Sequence, residues 1–218
     1  MLKKLIVFLI GLVVAAILVV YLLSLPLIRR LPRQKSVALE GVTTIDEAVM
    51  ACRRSNLQGW ELVAYAQNLV ARKFTYSRLN SWESPSRAFE RGRGYCQQSA
   101  LALHKIYRAL GIDSRPVHAL RCKFPAKVVD GFPQPELISG HVWLRVRVGA
   151  EERFVCPGAV DNRPGQLHFE ILSRIYNFRL PMQVISYFGS ALVNLRRDAV
   201  ARKRSTKQVE ETKEYAHA

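Results

Sequence analysis

The chain has 218 residues, with 33 Lys+Arg against 17 Asp+Glu and a formal net charge of +16. At 49% hydrophobic residues it is too apolar for an intrinsically disordered chain. Four cysteines are too few for a disulfide-dense secreted scaffold, and 12 glycines with 10 prolines exclude a collagen-like or low-complexity chain.

Leu5 to Leu25 form 21 consecutive positions without a charge. As a helix they would extend roughly 32 Å, enough for a bilayer core of about 30 Å. The run exceeds the about 7–15 residues of a signal-peptide core, and the exit Leu25-Pro26-Leu27-Ile28-Arg29-Arg30 has no small-x-small cleavage site. Residues 1–28 therefore read as an uncleaved single-pass transmembrane anchor in a plasma or inner membrane. Lys3 and Lys4 precede the span, and Arg29, Arg30, Arg33 and Lys35 follow it. A short tail with two lysines usually stays inside, which leans the domain to the non-cytoplasmic side, while the arginines after the span oppose that. Residues 29–43 read as a basic juxtamembrane linker, 44–200 as the folded domain and 201–218 as a charged tail.

Thr44-Ile45-Asp46-Glu47 is a capping-box pattern and predicts a helix over 45–55. A second helical stretch runs from Trp60 to Arg72, with Leu62, Ala66 and Leu69 on one face. Ser84-Pro85 supplies the N-cap and first residue of a short helix that Gly92 and Gly94 end. The next helix spans Tyr95 to Leu110, with Gly111 just past its end. Cys96, Ala100, Leu103, Tyr107 and Leu110 share an arc of about 80°, with Gln98 and Lys105 opposite. Cys96 thus stands at a helix N-terminus on the inward face. Arg115–Arg121 reads as a strand, and Phe124 to Gly140 as a loop. Residues 141–148 alternate, with Val142, Leu144, Val146 and Val148 on one face and His141, Trp143, Arg145 and Arg147 on the other. Gly149-Ala150 is a two-residue turn into a return strand, Glu151–Cys156. From Leu167 the pattern is helical.

A cysteine at a helix N-terminus has its thiolate favoured by the helix dipole. A histidine on a neighbouring strand can take the thiol proton and later deliver it to a leaving amine. Cys96 and His141 occupy such positions, although a lone buried cysteine or histidine is more often an ordinary core residue.

The run Arg93-Gly94-Tyr95-Cys96-Gln97-Gln98-Ser99-Ala100, with Leu110-Gly111-Ile112-Asp113-Ser114-Arg115-Pro116-Val117 after it, resembles the transglutaminase-like core. Gly140-His141-Val142-Trp143-Leu144-Arg145-Val146 is similar to that family's histidine strand, and Phe74-Thr75-Tyr76 to the segment before its core. The resemblance covers roughly Glu61 to Pro157. It implies that Cys96 is the nucleophile and His141 the general base.

At the third position the family expects Asp, usually before Pro, and this chain has Cys156-Pro157. With Gly149-Ala150 as the turn, Trp143 pairs with Cys156, and residue 156 lies on the face of His141, one diagonal step away. An Asp there would orient the imidazole and stabilise its cation; a Cys does so only if ionised. Asp161, or Asn162 by analogy with Cys-His-Asn sites, is the nearest substitute, reached by a loop that folds back.

Cys96, Cys122, His118, His141 and Cys156 could instead supply a zinc tetrad, with His118 and Cys122 on one face of a strand; no C-x-x-C or H-x-x-x-H accompanies them. A Cys96–Cys156 disulfide is a further reading in an oxidising compartment. No cofactor is implied, and no acidic calcium loop is recognisable. The excess of Arg comes without a helix-turn-helix, zinc-finger or RNP pattern, so no specific nucleic acid is expected and anionic lipid is the better partner. Leu180–Arg197 is amphipathic and either packs on the domain or lies on the bilayer.

The expected fold is α+β: a papain-like, transglutaminase-type core of helices against an antiparallel sheet, behind an N-terminal transmembrane helix. The expected function is a thiol enzyme acting on peptide or protein amides, by hydrolysis in preference to cross-linking. The alternative is a membrane-tethered binding or scaffold protein that kept the fold and lost the chemistry.

Overall fold

The computed structural model describes residues 2–30, 41–77, 83–129 and 132–187. The chain divides into two compact units, 1–31 with 184–218 and 32–183. Of the first unit, helix α1 (Leu2–Arg30) is described. Its side chains are described without a break only over 4–16, and among the described residues no helix is long and apolar enough to cross a membrane. Those that are described, Leu5 to Ile10 among them, are exposed. The linker segment 31–40 and the tail 188–218, the expected 201–218 tail included, lie outside the described residues.

The second unit runs α2 (Ile45–Arg54), α3 (Gly59–Lys73), β1 (Thr75–Tyr76), α4 (Pro85–Arg91), β2 (Arg93–Gly94), α5 (Cys96–Ala109), β3 (Asp113–Phe124), β4 (Lys127–Val129), β5 (Phe132–Gln134), β6 (Leu137–Val148), β7 (Glu151–Val155), β8 (Glu170–Ile171) and β9 (Ile175–Asn177). Helix ends follow local chemistry. Thr44 Oγ1 accepts from the Glu47 amide while Glu47 Oε2 accepts from the Thr44 amide at 2.8 Å, closing the capping box of α2. Ser84 caps α4, and Gly92 ends it at φ +72°.

The main sheet has the order β7-β6-β3-β8, with β9 also on β3, and all its pairs are antiparallel. Val148 pairs with Glu151 across Gly149-Ala150, as the two-residue turn requires. One face of β6, through Val142, Leu144 and Val146, packs with α2, α3 and α5 into the larger core. Tyr107 is fully buried there and donates its hydroxyl to the Val63 carbonyl at 2.8 Å. The other face carries a smaller cluster of Val117, Ala119, Cys122, Trp143, Cys156 and Phe169.

Four sequence expectations are corrected. The expected loop from Phe124 to Gly140 contains the β4–β5 hairpin and the first residues of β6, because Leu137 and Ile138 pair with Phe124 and Lys123 beyond an irregularity in β3. That irregularity, between Ala119 and Cys122, also breaks the alternation that set His118 and Cys122 on one face. Cys122 joins the face of Val117 and Ala119, while His118 lies between the rings of Tyr176 and Phe178. The stretch after Leu167 forms β8 and β9 before a helix opens at Leu180. These short apolar segments pair with the open edge of β3, and ladder pairing outweighs a weak helical period. Gln98, expected to face outward, is fully buried: its Oε1 accepts from the Tyr95 amide at 3.2 Å and its Nε2 donates to the Glu83 carbonyl at 3.1 Å.

Candidate active site

Cys96 is the first residue of α5, where the helix dipole favours an anion. Its approach is set by Gly94. A Cβ on Gly94 would lie 2.7 Å from Phe74 Cε1 and 3.0 Å from Gln98 Oε1, so only glycine fits where β2 passes Phe74. Tyr95 and Gln97 flank Cys96 and are buried, joined by a hydrogen bond from the Tyr95 hydroxyl to Gln97 Oε1 at 2.8 Å. Cys96 itself is half-buried.

His141 stands on β6 in a nearly closed aromatic box. Phe169, Phe124 and His168 meet its ring edge-on at 4.6, 5.2 and 5.9 Å, and Trp143 stacks on it at 6.2 Å. Its Nε2 lies 3.2 Å from Cys156 Sγ, within reach of a sulfur hydrogen bond. Cys156 therefore occupies the place beside the imidazole that the hairpin register assigns to residue 156. Cys96 lies close enough for its charge to bear on both Cys156 and Cys122. None of the four cysteines is in a disulfide, so the Cys96–Cys156 bridge is not formed.

The electrostatics are those of a neutral pair. Burial, with His168 second, pushes the His141 imidazole down to about 3. Burial likewise pushes the Cys156 thiol up to about 12, against a smaller lowering from the Gly158 amide, which donates to Sγ at 3.4 Å. Cys156 consequently supplies no counter-charge to an imidazolium at neutral pH. It can hold His141 in two ways. With Nε2–H donating to Sγ, Nδ1 is free to take a proton. With S–H donating to Nε2, Nδ1 carries the proton and cannot.

The structure does not bring Asp161 to this site. Asp161 is exposed and lines a separate cavity of about 760 Å³ with Trp60, Asn68, Arg72 and Arg153. Asn162 is brought in, but to a different imidazole: its Nδ2 lies 2.8 Å from His168 Nδ1 and donates to the Cys156 carbonyl at 2.8 Å. The zinc tetrad is not assembled either, since the β3 irregularity separates His118 from Cys122; among the described residues no group of three or more His, Cys, Asp or Glu could hold a metal.

Sequence reasoning missed His168, Phe169 and Gln67. Gln67 had a signal, a glutamine inside the apolar stripe of Val63, Ala66 and Val70. His168 had none, because it lies in a segment read as helical and meets His141 only through the tertiary fold.

Residues 49–155 match the family model of the transglutaminase-like superfamily. That stretch, just under half of the chain, is similar to the transglutaminase-like superfamily, typically cysteine-dependent enzymes, and the α+β arrangement of helices against an antiparallel sheet fits such a core. A solved structure described as "Crystal structure of a TGase" is similar at 14% identity and a TM-score of 0.39. The match covers 54% of this chain and 31% of that one, so this chain spans about a third of its length. No curated protein matches the chain.

Proposed function

We propose that the protein is a membrane-anchored thiol enzyme that acts on peptide or protein amides through an acyl intermediate on Cys96, by hydrolysis in preference to cross-linking. The observation that carries this reading is the 3.2 Å contact of His141 Nε2 with Cys156 Sγ, which holds the imidazole at the position the hairpin register assigns, while Cys96 opens helix α5. In the first step the Cys96 thiol passes its proton to His141 Nδ1 while its sulfur bonds to the amide carbon, and the carbonyl electrons move to oxygen. The oxyanion collapses, the C–N bond breaks, and the amine leaves with the proton from His141. Water then attacks the thioester with His141 as base, releasing a carboxylic acid and the thiol. Helix α1, with Lys3, Lys4 and the basic residues after it, is the proposed single-pass tether. It leans the domain to the non-cytoplasmic side, and no cofactor enters the reaction.

A second reading is favoured by Cys156, whose thiol at about 12 leaves the imidazolium without an anion. On that reading the domain is a lapsed enzyme that binds at the membrane. The rate of Cys96 alkylation by iodoacetamide against pH separates the two, with Cys96→Ser as blank. The enzyme reading expects Cys96 to react faster than a model thiol of pKa about 8.5. His141→Ala should then slow it, and Cys156→Asp should quicken it by about 10–100-fold. A free-thiol rate unchanged by His141→Ala leaves the binding reading, with Cys156→Asp restoring reactivity if the site has lapsed.

A further inference from the structure

Cys156 is gripped from behind as well as touched in front. Its carbonyl follows the last paired residue of β7, Val155, and so has no partner in the ladder. Two side-chain amides take it: Gln67 Nε2 from α3 at 3.1 Å and Asn162 Nδ2 from the loop after β7 at 2.8 Å. One donor would satisfy that carbonyl. The second comes at a cost, because Gln67 is 1% exposed and its Oε1 has no hydrogen-bond partner. An orphaned buried amide oxygen is unfavourable, because it has lost its water and gained no donor in return. A leucine of similar volume would continue the apolar stripe of α3 without it. A fold that keeps the glutamine gains position there.

The Asn162 arm does a second thing. Its NH2 must face the Cys156 carbonyl, because its oxygen would meet another acceptor there. The same nitrogen lies 2.8 Å from His168 Nδ1, which therefore accepts, and neutral His168 carries its proton on Nε2. The other edge of His168 rests against Gly158. A Cβ on Gly158 would lie 2.9 Å from His168 Cε1 and 3.2 Å from Cys156 Sγ, so glycine leaves that approach open.

We infer that Gln67 and Asn162 are positioning residues, a two-armed amide clamp on the Cys156 carbonyl that sets its sulfur against His141 Nε2, with Asn162 also fixing His168 in its Nε2–H form. The consequence for reactivity rests on the thiol-enzyme reading above; the geometric claim does not.

The test uses the full chain in detergent, with three readouts: alkylation of Cys96 by iodoacetamide at pH 7, the urea midpoint, and 15N spectra of the histidine rings. Gln67→Leu removes one arm together with its orphan oxygen. The midpoint is expected to hold or rise while the Cys96 rate falls about tenfold, the effect of losing one buried hydrogen bond. A merely structural glutamine would change both together or neither, and where His141→Ala slows Cys96, a Gln67→Leu rate within twofold of wild type overturns the clamp. Asn162→Asp keeps the shape and removes the donor, so His168 is expected to gain a proton on Nδ1 and the rate to fall similarly. A wild-type His168 already protonated at Nδ1 overturns the inference. Should His141→Ala leave the Cys96 rate unchanged, the thiol-enzyme reading falls by itself. The ring spectra then decide the clamp: shifted His141 signals in Gln67→Leu support it, and unmoved signals refute it.

Discussion

His141 is the residue with the largest consequence for acid stability. It is neutral in the fold, with its imidazole held near 3, whereas in the unfolded chain it takes a proton near its ordinary value of about 6.5. Between those values the unfolded state binds more protons, so stability rises with pH and falls as pH drops from about 6.5 towards 3. The full loss is several kcal/mol. His104 and His118, also lowered by burial, add the same sign, which is why the comparison must be made within a pair of chains. His141→Gln should flatten the acid limb of stability, measured as urea midpoints at pH 7, 5 and 4. An identical slope in both chains would show that His141 is not the group that titrates. At the other extreme Cys156 reverses the sense: its folded thiol stays neutral up to about 12 while an unfolded thiol ionises near about 8.5, so alkaline pH also favours unfolding.

At the scale of elements, the site depends on how α5 begins. Phe74 packs edge-on against the buried Phe89, with ring centres 6.0 Å apart, so it has little room to yield. A methyl group on residue 94 would press on Phe74 Cε1 at 2.7 Å and displace the first turn of α5. Gly94→Ala should lower stability by about 1–3 kcal/mol. It should also slow Cys96 alkylation beyond what His141→Ala alone explains, read by urea midpoint and by rate. The same elements show what a sequence reveals. The ends of α2, α4 and α5 were legible because capping is local: Thr44 meets Glu47, Ser84 meets the Arg87 amide, and Gly111 takes φ +77°. The β6–β7 register was legible because a two-residue turn fixes it, and that register placed residue 156 beside His141. The irregularity in β3 carries no local mark, so the faces of His118 and Cys122 were misassigned. β8 and β9 were illegible for a related reason: their partner is β3, far earlier in the chain, and the period of a short apolar segment does not report a distant edge. His168 was lost with them.

On the scale of the whole molecule, charge and apolar length act in different regimes, and salt separates them. On the proposed tether reading, the formal net charge of +16 should draw the chain to anionic lipid. Each basic residue near the surface contributes about 1 kcal/mol, an attraction largely screened at 1 M salt, where the Debye length is about 3 Å. Burial of an apolar helix is not screened, because it depends on area removed from water. The uncharged run Leu5–Leu25 and the basic residues Arg29, Arg30, Arg33 and Lys35 therefore predict different behaviour for two chains. The full chain should stay with membranes through 1 M salt and alkaline carbonate. A chain lacking residues 1–28 keeps the core built on α2, α3, α5 and β6. It should bind vesicles containing anionic lipid at low salt, ignore neutral vesicles, and be released at 1 M salt with its Cys96 alkylation rate unchanged. Loss of the full chain to the carbonate wash would refute the tether, and retention of the truncated chain at high salt would move the membrane contact to the folded domain.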